Sequence, residues 1–75
     1  MVDGNHFVLI NYADDEHKSV GHAMVKIDAQ VQHQFLSDYA DDASQKVAKH
    51  LGISPLKIRI LDFSVFNDKL ILIDI

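Results

Sequence analysis

Five histidines are spread along a chain of 75 residues, in the company of eleven aspartates and glutamates. Imidazole and carboxylate together suit zinc, nickel or iron, and they are also the usual partners in acid–base chemistry. His6, His17 and His22 flank the acidic run Asp14, Asp15 and Glu16, so a hairpin here draws some of these groups together. The spacings reproduce no metal motif such as His-Glu-x-x-His. His6 falls at the end of its segment far from the acidic run and His22 at the near end of its own, so the three imidazoles do not converge. His33 and His50 stand in a helical stretch, and His50 follows Lys49 where positive charge favours the helix dipole. Scattered surface histidines are the expectation, and histidine-dependent metal binding is the second alternative function.

Nucleophilic chemistry has little to build on. Ser19, Ser37, Ser44, Ser54 and Ser64 lack the glycine-flanked elbow that exposes a catalytic serine. Gly4, Gly21 and Gly52 lie too far apart to form a phosphate-cradling loop. Asp14-Asp15 and Asp41-Asp42 are adjacent pairs, and helix neighbours point in different directions. With no cysteine there is neither a disulfide nor a thiolate zinc site. No enzymatic activity and no cofactor are expected.

A net charge of −4 opposes non-specific binding to nucleic acid or anionic lipid, both of which favour a basic surface. Residues 43–54 resemble the opening of a helix-turn-helix, but Pro55–Ile60 continues by alternating as a strand. Lys46, Lys49, Lys57 and Arg59 form at most a small basic patch among eleven acids. Neither direct nucleic-acid binding nor a membrane partner is expected. The opposite arrangement is the first alternative function. Asp14, Asp15, Glu16, Asp38, Asp41 and Asp42 would imitate a phosphate backbone, making the chain an acidic inhibitor of a nucleic-acid-binding protein. Met1–Gly4 lacks the basic start and apolar run of a signal peptide, and no apolar stretch approaches the roughly 18 residues of a spanning helix. A cytoplasmic location is the expectation.

The elements that position these residues follow from periodicity. His6–Tyr12 (HFVLINY) is rich in strand-formers, with Val8, Ile10 and Tyr12 on one face and Phe7 and Leu9 on the other. After a charged loop over 13–19, Val20–Ile27 alternates, with Ala23, Val25 and Ile27 inward and His22, Met24 and Lys26 outward. Asp28 is a candidate helix N-cap, with Ser37 or Asp38 as caps of a shorter second helix after a break. An apolar stripe of Val31, Phe35, Leu36, Tyr39, Ala40, Ala43, Val47 and Leu51 follows, and Gly52 then Pro55 end the helix. In the third strand Leu56, Ile58 and Ile60 point inward before the phase slips to Leu61, Phe63 and Val65, which predicts a bulge near Leu61–Asp62 or a strand covered on both faces. Asn67-Asp68 is turn chemistry, and Lys69–Ile75 makes a fourth strand. Residues 1–75 therefore read as one α+β domain in ββαββ order, a four-stranded mainly antiparallel sheet with one helical region on one face.

One helical layer covers one side of a sheet, yet the first and last strands are apolar on both sides. Phe7, Leu9, Ile71 and Ile73 are the residues left over. Contiguous exposed apolar surface marks contact sites. The expected function is a non-enzymatic protein–protein interaction module, homodimeric or docked on a protein partner through an apolar sheet face or edge strand built on these four residues.

Overall fold

The computed structural model describes residues 4–73 and has the element order ββαββ. Strand β1 (His6–Asp14) pairs antiparallel with β2 (Ser19–Ile27) and, on its other side, with β3 (Ile58–Phe66), which pairs with the short β4 (Leu72–Ile73). The order across the single curled sheet is β2-β1-β3-β4, with helix α1 (Leu36–Leu51) packed on one face. A turn of 3-10 helix, Pro55–Lys57, leads into β3. No helix among the described residues is long and apolar enough to cross a membrane.

The inner face is built from the residues the alternation assigns to it. Val8 and Ile10 of β1, Ile27 of β2 and Val65 of β3 are essentially inaccessible, and they meet Tyr39, Ala43, Val47 and Ala48 of α1. The alanines let the helix axis approach the sheet closely, while the β-branched residues fill the pleated surface opposite. The anticipated bulge is present. Asn11 pairs with Asp62 and Tyr12 with Ile60, so Leu61 is the extra residue on β3 and lies exposed. The slip returns Phe63 and Val65 to the inner face that Ile58 and Ile60 occupy before it.

Four expectations are corrected. The helix begins at Leu36, with Phe35 as an N-cap lacking a side-chain bond, and Asp28 instead closes a turn by accepting from the N–H of Gln30 and Val31. The reason is visible in the donors of 28–35: Ala29 N–H donates to Asn5 Oδ1 and His33 N–H to Tyr39 Oη, so side chains satisfy what a helix otherwise would. Leu56 is not inward. Ser54 Oγ accepts from its N–H, Pro55 starts the 3-10 turn, and the Leu56 side chain is 93% exposed. The first hairpin loop is shorter than 13–19, because Ala13 and Asp14 remain paired with Val20 and Ser19. In the last segment only Leu72–Ile73 is strand; Asp74 and Ile75, like Met1–Asp3, lie outside the described residues.

The helix ends as its sequence requires. Gly52 adopts φ 72°, donating to the carbonyls of Ala48 and Lys49, and Ile53 N–H returns to Ala48 O at 3.0 Å. Among the described residues nothing lies within 4 Å of a Cβ built at Gly52, so a side chain there meets only the backbone penalty. Gly52→Ala is expected to lower unfolding stability in urea by about 1–2 kcal/mol, and Gly52→Asn by less. An unchanged midpoint for Gly52→Ala would show that this cap contributes nothing.

Candidate functional site

Cross-strand register fixes what the outer face presents. Successive rows across the sheet, on the side away from α1, are Leu72–Phe66–Phe7–Lys26, then Ser64–Leu9–Met24, then Asp62–Asn11–His22, then Arg59–Ala13–Val20. The first two rows are apolar apart from Lys26 and Ser64, and the third is polar throughout. An apolar patch of Phe7, Leu9, Met24, Phe66 and Leu72 therefore occupies one end of this face. None of the five belongs to the core cluster or packs against it. Met24 and Leu72 are 52% and 55% exposed, while Phe7, Leu9 and Phe66 are half-buried.

Of the four residues singled out in the sequence, Phe7 and Leu9 stand together in this patch. Ile71 precedes β4 and is 59% exposed beside it. Ile73 does not join them. It pairs with Val65 and packs against the core, whereas Leu72 pairs with Phe66 and takes the outer position. A strand's side chains alternate, so a one-residue error in phase exchanges its two faces, and a short terminal segment has little to fix that phase. Met24, which the alternation places outward, joins the patch, and Phe66 and Leu72 complete it. Finding them needs the register on both sides of the Leu61 bulge, which the strand's own alternation does not supply.

The turn before β4 supports the patch. Asn67 Oδ1 accepts from the N–H of Lys69 and Ile71, and its backbone exchanges bonds with Ile71 O and Leu70 N–H. Leu70 sits at φ 60° with its side chain 61% exposed. That conformation is costly for leucine and easy for glycine or asparagine. Leu70, Ile71 and Leu72 thus form an exposed apolar run contiguous with the patch.

The groups that suggested chemistry lie elsewhere, and they act as clasps. His6 stacks on Tyr39 with ring centroids 4.8 Å apart, and His33 meets the same ring edge-on, also at 4.8 Å. His33 Nε2 is hydrogen-bonded to the Asp42 carboxylate. Three segments, the start of β1, the 28–35 connection and α1, are joined at Tyr39. The Nδ1 atom of His6 is buried and makes no hydrogen bond to the described residues. His22 is on the outer face opposite Asn11, and His17 is in the hairpin loop, so His6, His17 and His22 stay apart. Among the described residues no three His, Cys, Asp or Glu side chains gather as metal ligands would.

The loop acids are paired too. Asp15 meets Arg59 at 3.3 Å and Glu16 meets Lys57 at 3.9 Å, both exposed contacts worth about 0–1 kcal/mol. Asp14 is buried and accepts from the N–H of Glu16 and His17 and from the His17 ring, at 2.6 Å. Comparison with protein-family models, with curated proteins and with solved structures finds no match to this chain.

The hydrogen bond from the His17 ring holds Asp14 below the ordinary carboxylate value; burial opposes this, and the backbone N–H groups add to it. The same bond, with the Asp14 charge, raises His17 above the usual histidine value. A lowered Asp14 stabilises the fold above a pH of about 3.9, and that contribution is lost as pH falls through the folded Asp14 value. A raised His17 contributes fully below about 6.5, and that is lost as pH rises through the folded His17 value. The stability difference between wild type and His17→Asn is therefore expected to be largest between these limits and to shrink on both sides. Thermal melts of both proteins against pH measure it, and a pH-independent difference would show that the pair carries no linkage.

Proposed function

We propose that this chain is a small non-enzymatic interaction module that associates with a second copy of itself through the outer face of its sheet. The observation that carries the reading is the apolar row Leu72–Phe66–Phe7, with Leu9 and Met24 beside it, on the side of the sheet away from the helix. Fully covering one such side chain contributes about 1.5–3 kcal/mol, and three or four together match the ~5–15 kcal/mol stability of a small domain. Two copies related by a two-fold axis would each present the same patch, with the sheets stacked about 10 Å apart. The polar row Asp62–Asn11–His22 would form a wet margin to that contact. Ile71 and Leu70 would extend the contact at the β4 edge, at the position where the backbone holds a leucine in an unfavourable conformation.

The acidic-inhibitor alternative draws less support from the geometry. Asp14, Asp15, Glu16 and Asp42 each have a basic or imidazole partner within the subunit, which reduces the charge available to imitate a row of phosphates.

Sedimentation equilibrium at about 10–100 μM is the test. The wild-type chain is expected to sediment as a dimer, and Phe7→Glu with Leu9→Lys as a monomer with an unchanged circular dichroism spectrum, because neither residue belongs to the core. A wild-type chain that stays monomeric over the whole range sinks the proposal. So does a dimer that both substitutions leave intact.

A further inference from the structure

Among the described residues, strand β2 is an edge of the sheet, bonded to β1 on one side and to no strand on the other. Its free side is marked by one contact: Lys46 Nζ, from α1, donates to the Lys26 carbonyl at 3.2 Å. In an antiparallel strand, alternate residues turn both N–H and C=O toward one neighbour and the intervening residues turn theirs the other way. With Lys26 facing the free edge, Met24 and His22 face it as well. Two further N–H and C=O pairs are thus offered in the register a new strand would use.

Beside this edge runs a groove of about 490 Å³ between β2 and the last two turns of α1. Tyr12, Ala23 and Val25 form its floor, and Val47 and Leu51 its helical wall. The floor has no glycine gap: the Tyr12 ring lies over Gly21, its cross-strand partner, where a Cβ would come within 2.7 Å of the hydroxyl oxygen. Apart from Tyr12, each titratable side chain lining the groove is a lysine or a histidine: His22, Lys26, Lys46 and His50. Among the described residues the groove is thus acid-free, on a chain of net charge −4. Among the described residues neither Lys26 nor Lys46 forms an ion pair.

We infer that β2 is a strand-addition site for an extended acidic segment of a partner protein, in which apolar and carboxylate side chains alternate. The segment's backbone pairs with Met24 and His22. Its apolar side chains drop into the groove against Val25, Val47 and Leu51. The alternate side chains lie over the outer face of the sheet, beside Lys26 and His22, where carboxylates are matched and lysines repelled. Lys46 then acts as a gate, because the ammonium that now shields the strand edge is released toward the incoming carboxylates. The outer-face contact of the preceding subsection uses the Met24 and His22 side chains but not the β2 backbone edge, so the two sites overlap on β2, and Phe7→Glu with Leu9→Lys, expected to remove the first and leave the second, tells them apart.

The probe is a fluorescently labelled, end-capped peptide of alternating valine and glutamate, titrated against the full chain by anisotropy. Binding is expected, with slowed amide exchange at Met24 and His22. A valine–lysine peptide should bind at least about tenfold more weakly, and Lys26→Glu with Lys46→Glu should reverse the preference. Should that double variant fail to fold, raising salt to about 0.5 M on the wild type is expected to weaken the glutamate peptide alone. Methylating alternate backbone nitrogens of the peptide removes its strand donors and should abolish binding. No binding up to about 1 mM, equal binding of the lysine peptide, or indifference to backbone methylation overturns the inference. So does exchange protection at Met24 and His22 that grows with protein concentration without peptide, which would assign the edge to a second copy.

Discussion

Strand β1 occupies the middle of the sheet, and both of its sides are oily. Val8 and Ile10 point toward α1 and are sealed by it; Phe7 and Leu9 point the other way, where the helix does not reach. A 16-residue helix spans about 24 Å and lies along one face of a twisted sheet, so it cannot shelter the second face. The rest of the molecule follows from that shortage. The inner face takes the helix, the alanines and the β-branched residues. The outer face sorts its side chains along the strands, apolar near β4 and polar near the middle of the sheet.

The side chains that resemble catalytic or ligating groups are largely consumed in holding this small layer pair together. Tyr39 is gripped by His6 and His33, and through them the chain's start and the irregular stretch before the helix are tied to α1. Asp14 gathers three donors at the first hairpin, and Asn67 organises the second. A chain with no cysteines and so few residues has little covalent or hydrophobic reserve, and short-range polar clasps fix its loops instead. That is why acids and histidines are frequent here without gathering, among the described residues, as a metal-ligand cluster.

Much of this architecture was legible in the sequence. The alternation of β1 and β2, the cap at Gly52, the turn at Asn67 and the irregularity at Leu61 are local signals, each set by its own neighbours in sequence. What was hidden depended on partners distant in sequence. The sequence leaves the helix start between Asp28 and a later cap at Ser37 or Asp38, because nothing local reveals that Asn5 and Tyr39 take the backbone donors of the residues after Asp28. Leu56 carries the right parity for the inner face but sits in a 3-10 turn set by Ser54 and Pro55. Ile73 and Leu72 exchanged places because two residues of β4 inherit their phase from β3 across a hairpin. Of the proposed contact surface, Phe7 and Leu9 follow from the alternation of β1 alone, whereas Phe66 depends on the register past the Leu61 bulge.

The extra residue at Leu61 separates two kinds of constraint that usually coincide. Its side chain is exposed and pairs with nothing across the sheet, so the identity of the amino acid there matters little. Its presence matters a great deal, since removing it would turn Phe63 and Val65 outward and carry Ser64 and Phe66 into the interior. Position 61 is thus a spacer: the fold depends on a residue being there and is nearly indifferent to which one.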